Sequence, residues 1–232
     1  MRQGNVDRIR YNRAVISQRS IIIVAFLGGL VALGLGLGLF LSMQSNVLRI
    51  SEPPGIKGLL WPQPKLLTPF TLIDQRGNRF DLEKLKGKWS FVFFGYTHCP
   101  DICPITLAVF DSVHNELVEH PSSSGNLQFI FVSVDPERDT PEQLGNYVNY
   151  FNAAFLGLSG NEQELSGLTR QLGILYLRTE PDDSENYLVD HTAAVFLIDP
   201  LGRLVAIFSP PHDAKQMATR FIDIRDFVES QT

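Results

Sequence analysis

The sequence predicts an α/β domain, with strands and helices in alternation, carried behind a single membrane-spanning helix. Three observations point there. Residues 21–41 are apolar without a break, about the length a helix needs to cross a ~30 Å hydrocarbon core. Two later runs, Trp89-Ser-Phe-Val-Phe-Phe-Gly95 and Leu127-Gln-Phe-Ile-Phe-Val-Ser-Val134, are almost continuously apolar, as strands covered on both faces are. Each is followed by a segment whose apolar residues recur at helical spacing.

The first element is the tail at 1–20, with Arg2, Arg8, Arg10, Arg13 and Arg19 against a single acid, Asp7. The positive-inside rule keeps such a tail in the cytoplasm or a mitochondrial matrix, and so places everything after Ser42 on the opposite side. A cleaved signal peptide is the competing reading. The apolar stretch exceeds the usual ~7–15 residue signal core and no Ala-x-Ala site follows it, which favours an uncleaved anchor at 21–41. Gly34 and Gly38 form a small-xxx-small pair that could pack a second helix. Removing the tail's five arginines and one aspartate from the chain's 20 basic and 25 acidic residues leaves 15 and 24, a balance of −9. No basic stripe argues for a nucleic-acid partner. Residues 42–65, broken by Pro53, Pro54, Gly55, Gly58, Pro62 and Pro64, read as a linker.

From residue 66 the signals become regular. Residues 70–74 and 79–81 flank a Gly-Asn turn and read as a hairpin. The buried strand at 89–95 leads to a helix at 105–117 with Ile105, Val109, Val113 and Leu117 as its apolar stripe. After the strand at 127–134, a helix at 140–151 has Thr140 as N-cap, Pro141 as first helical residue and Gln143 closing a capping box. A helix at 162–172, a short strand at 174–177 and a polar turn at 180–186 follow. Strands at 195–198 and 204–208 form a second hairpin around Asp199-Pro-Leu-Gly202, and an amphipathic helix at 215–228 closes the chain. This order is that of a thioredoxin-like α/β layer with an N-terminal hairpin extension.

The chain has two cysteines, Cys99 and Cys103, in the loop between the first buried strand and its helix. Strand ends of this kind are where α/β folds place sites. Cys103 precedes Pro104, which suits the first helical position, so Cys103 is expected at or near the N-cap with Cys99 in the loop before it. Both sulfurs would then feel the helix N-terminus, which favours thiolate. Thiolate both attacks disulfides and binds soft metals, so the pair supports two chemistries, with a pair of merely structural thiols as the bland alternative. The spacing is one residue longer than the Cys-x-x-Cys of thioredoxin-type redox enzymes.

A third ligand would come from the five histidines. His114 and His120 read as solvated side chains on the helix and its exit. His98, beside Cys99, and His212, after Pro210-Pro211, are weak candidates. His191 stands at the entry to a strand expected beside the central sheet, where a lone histidine can be structural or a ligand.

Three segments carry a resemblance. Phe94-Gly-Tyr-Thr-His-Cys-Pro-Asp-Ile-Cys-Pro104, Val132-Ser-Val-Asp-Pro-Glu-Arg-Asp-Thr-Pro141 and Val189-Asp-His-Thr-Ala-Ala-Val-Phe-Leu-Ile-Asp-Pro200 resemble, in order, the motifs of the Sco/SenC family of cytochrome c oxidase assembly proteins. The resemblance implies a copper site made by Cys99, Cys103 and His191, holding Cu(I) with Cu(II) as a second valence. It also implies as partners subunit II of a haem–copper oxidase, whose two-copper centre needs metal or reduced thiols, and other copper chaperones. Two thiolates and an imidazole suit Cu(I). Asp190 is a candidate to orient His191, while Asp135 and Asp139 are expected to cap the loop and helix around them. The expected function is a metallochaperone. Its rivals are a thiol–disulfide oxidoreductase using Cys99 and Cys103, a peroxiredoxin-like peroxidase, and a redox or copper sensor. The tail and anchor favour a bacterial inner membrane with the domain in the periplasm, over a mitochondrial inner membrane.

Overall fold

The computed structural model describes residues 22–23, 26–38, 54–118, 126–179 and 187–231, which fall into two units, Met1–Ser51 and Glu52–Thr232. In the first unit residues 26–38 are helical and expose their large apolar side chains, Phe26 at 72% and Leu33 at 73%. Among the described residues no helix is long and apolar enough to cross a membrane. The ends of the span expected at 21–41, the whole basic tail at 1–20, the turn at 180–186 and His120 lie outside the described residues.

The second unit is built on one eight-stranded sheet in the order β1-β10-β9-β4-β5-β6-β2-β3. The strands are β1 Leu60–Leu66, β2 Thr71–Asp74, β3 Arg79–Asp81, β4 Trp89–Gly95, β5 Leu127–Ser133, β6 Leu156–Ser159, β9 Val195–Ile198 and β10 Arg203–Phe208. Strands β7 Tyr176–Arg178 and β8 Val189–His191 form a separate two-stranded ribbon. The centre is parallel, β4 beside β5 beside β6, and β9 runs antiparallel to β4. Strand β4 is buried at every position, which explains its unbroken apolar run. Its alternate residues serve two cores: Phe91 and Phe93 join one, Val92 and Phe94 the other, as the two-residue period of a strand requires.

The first core is covered by helices α1 (Ile102–Val118), α2 (Pro141–Phe151) and α4 (Ala214–Glu229), and the second by α3 (Glu162–Leu172). Helix α1 buries Cys103, Thr106, Leu107, Phe110, Val113 and Leu117. Full burial of each large apolar side chain contributes about 1.5–3 kcal/mol. Of the expected stripe, Val113 and Leu117 are buried and Val109 packs against the core, but Ile105 is 53% exposed, because the buried row begins at Cys103 and runs through Leu107 and Phe110. Helix α2 has the expected start, with Thr140 and Gln143 closing a capping box and Pro141 in the first turn.

Three further differences have physical causes. The linker reading of 42–65 gives way from residue 54 onward, since Leu60–Leu66 is strand β1, paired to β10, and Ile56 is fully buried in the first core. Pro62 and Pro64 are tolerated because β1 lies at the sheet edge, where an absent N–H costs no ladder bond. Strand β6 was not expected; it is four residues long and contains Gly157, whose hydrogen faces Leu144 so closely that a Cβ would stand 2.6 Å from its Cγ. His114 is half-buried rather than solvated, with its ring 5.7 Å from that of Phe129.

Candidate metal centre

Strand β4 delivers the chain to the site. At its last residue, Gly95, a Cβ would lie 2.5 Å from Cys103 Sγ and 2.8 Å from the Phe131 ring. Only glycine lets the sulfur sit against the strand end. The loop then turns back, Cys99 N–H donating to Tyr96 C=O at 3.2 Å. The first intrahelical bond of α1 runs from Ile105 N–H to Asp101 C=O. Cys103 therefore lies inside the first turn rather than at the N-cap. Pro104 remains acceptable because N–H groups of a first turn have no helical partner.

The sulfurs of Cys99 and Cys103 and a ring nitrogen of His191 all lie within 4.8 Å of one another. Cys103 Sγ is 3.4 Å from His191 Nε2, and both cysteines are free thiols. His191 Nδ1 faces the Thr192 carbonyl at 3.3 Å. With its proton on Nδ1 the ring offers an Nε2 lone pair to a metal, and with its proton on Nε2 it donates to the Cys99 thiolate. The imidazole packs edge-on against the rings of Phe93, at 5.8 Å, and Tyr96, at 5.9 Å.

The two thiols differ. A hydrogen bond from Cys103 holds the Cys99 thiol well below the ordinary range, outweighing partial burial, with further help from His191 and the N–H groups of Asp101 and Cys103. Burial pushes the Cys103 thiol far up, and the Cys99 thiolate beside it adds to the effect. The reduced pair thus holds one proton, kept on Cys103. Cys99 is half-buried and Cys103 fully buried.

The other candidates stand apart from this group. His98 is exposed, 3.1 Å from Thr97 Oγ1 and 3.6 Å from Asp139 Oδ1. His212 donates from Nε2 to Ala193 C=O at 2.9 Å; burial holds its pKa below the usual value. It supports the segment leading from His191 into β9. Asp190 is exposed and is paired across the ribbon with Leu177, not with the imidazole. His191 itself ends a strand of the separate ribbon, not one alongside the central sheet.

Sequence reasoning missed what Asp135 and Asp139 do. Asp139, 1% exposed, does not cap α2. Its carboxylate accepts from Thr97 N–H at 3.0 Å, Thr97 Oγ1 at 2.6 Å and Ser133 Oγ at 2.5 Å, fastening the cysteine loop to the end of β5. Asp135, fully buried, accepts from Arg138 Nε at 2.5 Å and from Tyr187 Oη at 2.6 Å, reaching toward the ribbon. The middle motif thus ties both halves of the site to one loop.

A thioredoxin-like α/β domain presenting two sulfurs beyond the end of a central strand, with an imidazole brought to them by a separate ribbon, has the chemistry of a soft-metal or thiol-redox protein. Residues 61–225 match the SCO1/SenC family model, and the chain belongs to that family. It is 36% identical over 190 residues to an SCO2-like protein of Rickettsia conorii, covering 81% of this chain and 90% of that one. It is also 36% identical to the mitochondrial SCO1 homolog 1 of Arabidopsis thaliana over 160 residues, 68% of this chain but only 47% of that protein. Among solved structures, Arabidopsis thaliana ScoI with copper bound superposes with a TM-score of 0.64 at 35% identity, covering 69% of this chain and 99% of that one.

Proposed function

We propose that this protein is a membrane-anchored metallochaperone that binds one copper ion through Cys99, Cys103 and His191 and passes it to the copper centre of cytochrome c oxidase subunit II. The observation that carries the reading is the group itself: three soft donors within 4.8 Å of one another, the ligand set that suits Cu(I). The similar Arabidopsis protein was solved with copper bound, and the choice of oxidase follows from the family.

The chain's own residues do three things here. Cys99, already favoured as thiolate, offers the first ligand at the half-open mouth. Cys103 gives up its proton as metal enters, so uptake releases a proton and strengthens with rising pH. His191 presents Nε2 to the metal while Nδ1, turned to the Thr192 carbonyl, takes the proton on binding. Three ligands leave room for a fourth from a partner, so the metal can change hands without entering solution.

Residues 21–41 are the anchor in this reading. A helix that is apolar on every side belongs in a core or a membrane, and the described part exposes its large side chains. With the arginine-rich tail inside, the domain faces the periplasm of a bacterial inner membrane. A second reading, thiol–disulfide oxidoreductase, is favoured by the unequal thiols, one reactive and half-open, the other buried.

Mixing the anaerobic, copper-loaded protein with the metal-free copper domain of an oxidase subunit II, once with its cysteines reduced and once with them as a disulfide, tests between them. Copper appearing on the acceptor is the expected result. Copper retained by the donor, with electrons passing instead to a disulfide in the acceptor, would move the assignment to the reductase.

A further inference from the structure

The ribbon of β7 and β8 that carries His191 makes no ladder with the main sheet, and an isolated two-stranded ribbon is marginally stable in water. The imidazole is held at 3.4 Å from Cys103 by its own packing against Phe93 and Tyr96 and by the ribbon's moorings. Val189 supplies an apolar one, 3% exposed in the second core. Tyr187, just before β8, supplies a polar one, beside the bond between the Val189 backbone and the Tyr96 hydroxyl. Its hydroxyl donates to the fully buried Asp135 carboxylate at 2.6 Å. The Arg138 guanidinium, bonded to the same carboxylate, lies 3.6 Å from the centre of its ring, and that of Arg178 lies 5.0 Å away. Arg178, in β7, also pairs with Glu137 at 2.7 Å, so both strands of the ribbon are tied to the one loop between β5 and α2.

We propose that Tyr187 is a positioning residue of the metal centre: its bond to Asp135 and its stacking under Arg138 register the ribbon, and so His191, against the cysteine pair. The loop that receives Tyr187 through Asp135 also holds the cysteine loop through Asp139, so a single segment, 133–139, sets the distance between the sulfurs and the imidazole. Tyr187 touches no ligand and acts only through the place it gives His191. A stacked cation on an aromatic face and a charge-assisted hydrogen bond each hold geometry more tightly than an apolar contact of the same area. This inference rests on the copper reading given above.

The test uses Tyr187→Phe, which keeps the ring and removes the hydroxyl, beside wild type, His191→Ala and the double variant. Each is full-length, reduced and anaerobic, with Cu(I) affinity read by competition with a chromogenic Cu(I) chelator. Tyr187→Phe is expected to weaken Cu(I) binding roughly 10- to 100-fold, the range for losing a group that orients a ligand, and to diminish the nitrogen shell in copper X-ray absorption. In the His191→Ala background the same change should have no effect, because the path through the imidazole is gone. A wild-type affinity for Tyr187→Phe beside a weakened His191→Ala overturns this inference alone, and so does an equal loss in both backgrounds, the mark of a general structural role. Equal affinity of wild type and His191→Ala overturns the three-ligand reading and this inference with it.

Discussion

Cys103 and His191 stand 3.4 Å apart, yet one belongs to the aromatic-rich first core and the other to a ribbon outside the main sheet. Cys103 is fully buried, wedged against Gly95 and Phe131, in a core where Phe91 stacks on Phe129 at 4.8 Å and Phe110 meets Phe129 edge-on at 5.3 Å. His191 is half-buried, its ring against Phe93 and Tyr96, on a ribbon moored through Val189, Tyr187 and Arg178. The difference teaches that the sulfurs are placed by folding itself, whereas the imidazole also depends on a few polar moorings that can be altered without unfolding the domain. A site that must both hold and release its cargo benefits from one fixed half and one adjustable half.

The comparison breaks most visibly if the fixed half is loosened. Asp139→Ala leaves Thr97 N–H, Thr97 Oγ1 and Ser133 Oγ without their acceptor, and a buried donor left unpaired costs about 1–3 kcal/mol. Denaturant unfolding of the metal-free protein should show a loss near 3 kcal/mol, together with weaker copper binding. A stability change within about 0.5 kcal/mol, the usual size at a surface position, would mean the cysteine loop is held by something else.

Gly95→Ala comes next. Its methyl would meet Cys103 Sγ and Phe131 well inside contact distance, and overpacking a filled core costs roughly 1–3 kcal/mol. The sulfur is the atom that gives way most easily, so copper binding should suffer along with stability. Unchanged melting and unchanged copper affinity would show that the seat of Cys103 is roomier than described.

The smallest effect concerns protons on the pair. Cys99 has its pKa lowered, first by the hydrogen bond from Cys103, so its thiolate contributes stability that is fully present above the unfolded-chain value, about 8.5, and is lost as pH falls through the folded-state value. Cys103 has its pKa raised by burial, so its contribution is present below that value and lost as pH rises through its own. Stability from the reduced pair should therefore be greatest near the ordinary thiol pKa and decline on both sides. Alkylation by iodoacetamide is the direct readout. Cys99 should keep reacting at pH 6, while Cys103 stays protected until the domain unfolds. A Cys99 rate that falls tenfold per unit below pH 8 would mark it as an ordinary thiol.

The sequence carried more of the fixed half than of the adjustable one. The runs at 89–95 and 127–134 could be read as strands because burial on both faces demands unbroken apolar residues, and Thr140-Pro-Glu-Gln143 declares a helix start by its own chemistry. Strand β1 was hidden because Pro62 and Pro64 mimic a linker, and edge position, which excuses them, is a property of the assembled sheet. The cysteine pair announced itself by spacing. His191 did so only weakly, by its place at the entry to a strand, where a lone histidine can be structural; the family motifs singled it out. The roles of Asp135 and Asp139 were illegible for a related reason. Their partners Tyr187 and Thr97 lie 52 and 42 residues away, and no periodicity reports a contact across such distances.

The measurement closest to the central claim is the copper content of the reduced, full-length protein under anaerobic conditions, wild type beside His191→Ala. One tightly held copper per chain in wild type, with a marked loss in the variant and a Cys99–Cys103 disulfide that still forms in both, is the predicted result. Equal copper in the two proteins, or tight copper in neither, would contradict it.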